Sequence, residues 1–382
     1  MKIAIITAEK REHDRDYSNP NPGFGTAPEA LLQGFAQIGD CKVHVLCCTQ
    51  QPVRAPVKIA DNIWYHNLHV PKIGWLRTLY QGCIRATRKK LKEIQPDIVH
   101  GQGTERDNAL SAIFSSFPNV ITIHGNMRLV TELEQAKLFS YWWLAAKLEA
   151  FTIPRSDGIV CITNYTRDAV AGIAKKTWVV PNAIDASFFD VQPKIHLGQP
   201  PIILLVGYIC ERKNQNAFIR ALDPLAAKRN FKLIFLGTAS RDSTYGREFF
   251  ELLKTRPWCR HVGFVDRETL KSFLAEAAVL ALPSLEDNCP MAVLEAAATS
   301  VPVIAARVGG VPDLIEHGKT GLLFDPHNEN ELLDAVENIL AQPDLARTLA
   351  LEANRRGRER FHPSVIARRH LEIYREVLNT RS

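Results

Sequence analysis

The feature that most constrains this chain is a pair of successive series of short apolar runs, each run separated from the next by a longer stretch of helical periodicity. In the first half the runs are KIAII, KVHVL, DIVHG, NVITIHG and GIVCITN, and in the second IILLVG, KLIFLG, RHVGFV, VLALPS and VPVIAA. Such continuous runs, too short for buried helices and enriched in β-branched residues, read as strands buried on both faces. Strands alternating with helices give an α/β fold with parallel sheets covered on both sides. Each half opens on a buried strand that leads toward a glycine-containing turn, from Ile3–Ile6 to Gly23–Gly25 and from Ile202–Val206 to Gly207. Between the halves, PNAID and DVQPKIHLGQPP interrupt both periodicities and place a boundary near residues 190–200, hence domains 1–190 and 191–382. In the closing segment VIARRHLEIYREVL, the residues Val365, Ile366, Leu371, Ile373, Tyr374 and Val377 fall at helical spacing. That helix either caps the second domain or crosses back to the first.

Composition narrows the function classes. The opening MKIAIITAEK has no signal-peptide core or cleavage site, and no window approaches the roughly 20 apolar residues that span a bilayer. A cytoplasmic protein starting at Met1 is expected, with its eight cysteines as free thiols. The formal charge of +6 favours anionic partners, but the basic residues are dispersed and follow no nucleic-acid motif. Neither HExxH, nor GxSxG, nor GxxxxGK followed by serine or threonine occurs, which disfavours zinc hydrolysis, serine hydrolysis and P-loop chemistry.

The strongest local signal is PSLEDNCPMAVLEAAATSVPVIA, where a strand ends near Leu282 and a helix begins near Pro290. It sets Glu286 and Asp287 at the carboxyl edge of a strand and Glu295 in the following helix. Carboxylates so placed accept hydrogen bonds from sugar hydroxyls, and Glu295 can take both hydroxyls of a ribose. A helix cap at Asp287 and a solvated Glu295 remain the structural alternatives. In LLVGYICERKNQ, Gly207 allows close backbone approach and Arg212 and Lys213 bring charge suited to a diphosphate, or simply begin a solvated helix. Gly309 and Gly310 in RVGGVPDLIEHGKTGLLFD follow another strand, so that their amides can approach phosphate or sugar oxygens, whereas Gly318 and Gly321 read as turn residues. In the first half, Gly25 and Thr26 lead from a glycine loop into a helix, and His124 ends NVITIH at a strand edge. That histidine can hydrogen-bond a donor sugar and handle a proton, or sit as a satisfied edge residue.

Together these segments resemble family 4 of the retaining glycosyltransferases, from GFGT to the terminal helix, most specifically at SLEDNCPMAVLEAAATSVPVIA followed by GGVPDLIEHGKTGLLF. The resemblance implies a GT-B fold, with two Rossmann-like domains facing an interdomain cleft. It also implies transfer of a hexosyl group from a nucleotide sugar, a UDP- or GDP-sugar, to a hydroxyl acceptor with retention of anomeric configuration and without a metal. It makes Glu295 the ribose ligand and puts Asp287 in the place of a family glutamate, with Glu286 as an alternative sugar contact. Lys213 matches the lysine at the diphosphate, His124 a histidine near the transferred sugar, and Gly25 a glycine near the phosphate or acceptor. The arginine expected after the first glycine is Tyr208 here, and Arg212 is the residue placed to compensate. His124, Lys213 and Asp287 form the expected catalytic set, and Gly25, Arg212, Lys213, Glu286, Gly309, Gly310 and Glu295 the expected donor-binding set.

A nucleotide-sugar epimerase and a non-catalytic nucleotide-sugar binding protein are the alternatives from other classes. The segment GWLRTLYQGCIRATRKKLKEI adds a partner expectation, because a helix carrying Arg77, Arg85, Arg88, Lys89, Lys90 and Lys92 suits peripheral contact with an anionic membrane bearing a lipid acceptor, or is simply a solvated helix.

Overall fold

The structure is a computed structural model that describes residues 1–133, 135–194 and 200–380. The chain divides into two compact units, the first comprising Met1–Asp185 with His362–Ser382 and the second Ala186–Phe361. The division therefore falls at the start of a short 3-10 turn, Ala186–Asp190, whose Phe189 carbonyl accepts from Arg358 Nη2 at 2.6 Å within the second unit. Of the stretch 190–200 suggested by composition, residues 195–199 lie outside the described residues.

Unit 1 holds eight strands: β1 Lys2–Ile6, β2 Lys42–Thr49, β3 Lys58–Ala60, β4 Ile63–His69, β5 Ile98–Gln102, β6 Asn119–Ile123, β7 Gly158–Cys161 and β8 Thr177–Val179. They form one sheet in the order β3-β4-β2-β1-β5-β6-β7-β8, parallel except for the antiparallel pair β3–β4. The chain winds outward from β1 in one direction and then, from β5, in the other. The sheet therefore has a topological switch point between β1 and β5.

The terminal helix Pro363–Asn379 packs in unit 1 on the helix Thr26–Ala36. A glycine makes the approach possible: a Cβ on Gly34 would lie 2.1 Å from the carbonyl oxygen of Pro363. Ile366, Leu371, Ile373, Tyr374 and Val377 are buried as the periodicity implies, but Val365 is exposed. It sits in the first helical turn and points away from the packed stripe.

Unit 2 has six strands: β9 Ile202–Val206, β10 Lys232–Leu236, β11 Cys259–Gly263, β12 Val279–Leu282, β13 Val303–Ala306 and β14 Leu322–Phe324. Their order, β11-β10-β9-β12-β13-β14, is wholly parallel and puts a switch point between β9 and β12. Both units are thus Rossmann-like α/β domains. In such sheets ligands bind beyond the carboxyl ends of the strands beside the switch point. The core of unit 2 follows from the apolar runs, with Ile203, Leu205, Leu233, Phe235, Val279, Ala281 and Ile304 closed over by Phe218, Phe249 and Val336 from the helices.

Candidate functional site

At the carboxyl edge of unit 2, the loops after β9 and β12 flank the switch point and are stitched to each other. Leu285 N donates to the Arg212 carbonyl at 2.8 Å, and Arg212 Nη1 donates to the Glu286 carbonyl at 3.0 Å and approaches its Oε2 at 3.4 Å. Lys213 Nζ forms an ion pair with Asp287 Oδ2, and both side chains are largely buried. Ser284 Oγ donates to the same carboxylate oxygen at 3.2 Å. Lys213 is delivered by the 3-10 turn Glu211–Lys213, which Asn214 ends in the left-handed region at φ 58° before the helix Gln215–Ala221 begins.

The loop after β13 supports this pair from below. Gly309 has φ 52°, and a Cβ there would stand 2.0 Å from the Asp287 carbonyl oxygen, so only glycine fits. The amide of Gly310 donates to that same oxygen at 3.0 Å. Of the two amides considered for phosphate contact, that of Gly310 thus holds the Asp287 backbone.

Glu295 lies in the helix Met291–Ala298, whose sequence MAVLEAAA contains no other charged residue, and it is buried. A buried carboxylate in so apolar a helix is costly unless it has partners, so Glu295 is not the solvated surface glutamate of the structural alternative. Glu286 is half-buried, and burial raises its carboxyl above the usual range against the opposing pull of Arg212. Tyr208, in the place of the expected arginine, is exposed, and its carbonyl accepts from Gln215 Nε2 at 2.8 Å. Arg212 is engaged with Glu286 as described.

In unit 1, His124 follows β6 directly, and its Nε2 lies 2.8 Å from Gln102 Oε1. The amide oxygen can only accept, so this hydrogen bond puts the imidazole proton on Nε2. Burial pushes His124 down to about 4, with a side-chain hydrogen bond to Asn182 acting the other way. The ring is therefore neutral at pH 7, suited to hydrogen bonding a substrate rather than to carrying a charge. Gln102 is held in turn by His100, whose Nδ1 is 2.6 Å from Tyr374 Oη and whose Nε2 is 2.7 Å from Thr122 Oγ1. His370 of the terminal helix stacks on His100 at 5.3 Å between centroids. Gly25 is exposed at the amino end of the helix Thr26–Ala36, its carbonyl accepting from Glu29 N at 3.0 Å.

Sequence reasoning missed Ser284 and Gln102. The signal for Gln102 was present, since β5 reads IVHGQ and is buried throughout, and polar residues in a fully buried strand need dedicated partners. Among the described residues, Cys48, Cys83 and Asp107 also converge in unit 1. All three are buried; a hydrogen bond with Cys48, with burial added, raises the Cys83 thiol and burial raises the Asp107 carboxyl, which favours the protonated forms that a metal would have to displace.

Comparison with known proteins fits this geometry. Residues 200–342 match the family described as Glycosyl transferases group 1, and residues 23–188 match Glycosyltransferase Family 4. An α-maltose-1-phosphate synthase from Mycolicibacterium smegmatis is 26% identical over 294 residues, which cover 70% of this chain and 75% of the relative. Among solved structures, a sucrose-phosphate synthase from Thermosynechococcus elongatus aligns over 100% of both chains with a TM-score of 0.78 at 21% identity. The Anabaena protein HepE in complex with UDP-glucose aligns over 98% of this chain and 100% of its own, with a TM-score of 0.70 at 17% identity. Two Rossmann-like domains of this kind, matched by both family models, define an enzyme of the GT-B class that transfers a sugar from a nucleotide-sugar donor. The chain is a glycosyltransferase related to family 4.

Proposed function

We propose that this enzyme transfers a hexosyl group from a UDP- or GDP-sugar to a hydroxyl acceptor with retention of anomeric configuration, and that unit 2 binds the donor. The observation that carries the reading is the buried Lys213–Asp287 pair at the β9/β12 switch point, the position at which a Rossmann-like sheet receives a nucleotide. Lys213 is the group that takes up charge developing on the departing diphosphate, exchanging part of its pairing with Asp287 for phosphate oxygens. Ser284 keeps Asp287 satisfied during that exchange, so that its second carboxylate oxygen can orient the donor sugar. Glu295 accepts the ribose hydroxyls and fixes the nucleoside. Arg212 holds the loop that carries Glu286 and Asp287, and Gly309 and Gly310 fix its backbone from the other side.

Unit 1 carries the acceptor-side groups. Neutral His124, with its proton on Nε2 and its orientation set by Gln102, hydrogen-bonds the sugar being transferred, and Gly25 opens the helix beside the acceptor. Departure of the diphosphate and attack by the acceptor oxygen occur on the same face of the sugar, with the acceptor proton passing to the leaving phosphate. The fold shared with HepE, solved in complex with UDP-glucose, supports a nucleoside diphosphate hexose as donor.

The test is a matrix of donors and acceptors read by mass spectrometry, with the anomeric configuration of the product read by NMR. A glycoside of retained configuration is expected. An isomerised donor with no glycoside would instead favour an epimerase, and saturable donor binding without turnover a non-catalytic binding protein.

A further inference from the structure

The rim of unit 1 carries an unusual concentration of exposed apolar side chains in two segments far apart in sequence. After β4, the turns Lys72–Gly74 and Leu76–Thr78 present Ile73, 71% exposed, and Leu79, 53% exposed, together with Leu76. After β6, the approach to the helix Tyr141–Thr152 presents Leu138 at 72% and Phe139 at 85%, followed by Tyr141 and Trp142. Because β4 and β6 run parallel within one sheet, both segments leave it at the same edge, the one that also carries His124.

They are also neighbours. Arg106 lies 5.4 Å over the ring of Trp75, and its charge acts on both Tyr80 and Tyr141. Trp75 and Tyr80 pack edge to face at 6.4 Å beneath the first segment, and Trp75 Nε1 donates to the Val70 carbonyl at 2.8 Å. The buried aromatic rings thus form a floor on which the aliphatic side chains stand outward.

Two of the protruding residues sit on strained backbone, Leu79 at φ 50° and Phe139 at φ 62°. Non-glycine residues take this conformation at a cost, and such strain gathers at sites of function. Nothing about folding alone requires a leucine and a phenylalanine in this geometry to face solvent.

Charge decides what covers the patch. Lys72, Arg77 and Lys137 are exposed among these side chains, whereas the later cations of the helix Gln81–Ile94 lead away from the rim, where Arg88 Nη2 donates to Ser116 Oγ at 3.3 Å and Lys90 lies beside Lys2 and Lys42 at the amino ends of the strands. The helix Gln81–Ile94 buries Cys83, Ile84, Thr87, Leu91 and Ile94, so its outer face offers Arg85, Arg88, Lys89 and Lys92 but no large apolar side chain. The helix expected to meet a membrane thus carries most of its charge away from the rim, and the apolar contact comes from the turns before it. Aliphatic and aromatic side chains interspersed with Lys72, Arg77 and Lys137, with Tyr141 and Trp142 beside them, suit the head-group region of an anionic bilayer.

We propose that this rim docks on an anionic lipid bilayer, with Ile73, Leu79, Leu138 and Phe139 inserted among the head groups, and that the acceptor is a lipid-borne hydroxyl presented at that surface. This deepens the acceptor side of the transferase reading and rests on it. Docking at the sheet edge that bears His124 brings an amphiphilic acceptor to the site without lifting its acyl chains out of the bilayer.

The experiment is cosedimentation of the full-length protein with vesicles of phosphatidylcholine alone and of phosphatidylcholine with phosphatidylglycerol. Selective binding to the anionic vesicles is expected, falling at least tenfold in a Leu79→Ser/Phe139→Ser variant whose circular dichroism and donor binding match wild type. Both substituted side chains are exposed, so the fold should tolerate the change. A second measurement needs no apolar substitution: brominated acyl chains should quench tryptophan fluorescence of the wild type, and less so in Trp142→Phe. Negligible binding to both vesicles, undiminished binding by the double variant, or a self-association lost in that variant without any vesicle binding would each overturn the proposal. Transfer to a soluble acceptor is measured separately. Vesicle binding without any transfer defeats the transferase reading, while transfer without vesicle binding defeats only the membrane inference.

Discussion

Replacing Gly309 by alanine probes the geometry of the donor loop with a single methyl group. Two costs can be worked from the structure. The residue sits at φ 52°, which costs an L-residue about 1 kcal/mol. The added Cβ would stand 2.0 Å from the carbonyl oxygen of Asp287, a backbone atom that cannot rotate away, so the two loops must separate by about 1 Å or more to restore van der Waals contact. That separation also stretches the 3.0 Å hydrogen bond from Gly310 N to the same oxygen, worth about 1 kcal/mol. The expected loss of stability is about 2–4 kcal/mol. Gly318→Ala is the matched control: its φ is 74°, but nothing lies within 4 Å of the new Cβ, so only the conformational cost of about 1 kcal/mol remains. Denaturant melts of both variants give the stability difference, and titration with the accepted nucleotide sugar gives its functional counterpart. Gly309→Ala should also weaken donor affinity about tenfold, by moving Asp287 away from Lys213. Equal stabilities and equal donor affinities in the two variants would refute the role given to the loop after β13.

Lys213→Met should slow single-turnover transfer by about 1.5–3 kcal/mol of barrier, and should also destabilise unit 2 by leaving Asp287 buried with Ser284 as its remaining partner. Adding Asp287→Asn should recover stability without recovering transfer; recovery of both would reduce the pair to a structural element. Gln102→Leu should lower the transfer rate without shifting the melting transition of unit 2, because it removes the partner that fixes the proton on His124 Nε2 while leaving the donor loops intact, and an unchanged rate would remove that orientation from the mechanism. The pH dependence of stability has a defined sign. His370 is pushed down to about 4 and His100 well below its usual value, both by burial, so the unfolded chain binds more protons than the folded one below about pH 6.5. Stability is complete above that pH and lost as pH falls toward 4, by about 3 kcal/mol for His370 alone, and a denaturation midpoint flat between pH 7 and 4.5 would contradict it.

The parts of the fold that were legible in the sequence are those written in uninterrupted apolar runs. IILLVG and KLIFLG can hardly be anything but buried parallel strands, and they are β9 and β10. The strands that escaped, β3, β4, β8 and β14, either have only three residues or, like IWYHNLH in β4, mix aromatic and polar residues because they lie toward an edge of the sheet. At the donor loops, the chemistry was legible but the pairing was not. Sequence spacing marks Lys213 and Asp287 separately, whereas their ion pair depends on β9 and β12 being neighbours, a fact of topology rather than of local pattern. Arg212 shows the same limit, since adjacency to Lys213 suggests a second phosphate contact and the fold directs it to the Glu286 backbone. Gly309 was legible as a glycine needed for close approach, although what approaches it is a carbonyl of the chain itself.

The central claim, that unit 2 binds the donor through Lys213 and Glu295 acting on different parts of one molecule, is tested most directly by comparing donor saturation in three proteins. Wild type, Lys213→Met and Glu295→Gln, each shown to be folded, are titrated with the accepted nucleotide sugar while single-turnover glycoside formation is followed by mass spectrometry. Glu295→Gln should raise the half-saturating donor concentration by at least about tenfold with little change in the rate at saturation, because it weakens charged hydrogen bonds to the ribose made in both ground and transition states. Lys213→Met should do the reverse, lowering the saturated rate more than the affinity. Wild-type affinity and wild-type rate in both variants would contradict the donor site assigned to this enzyme.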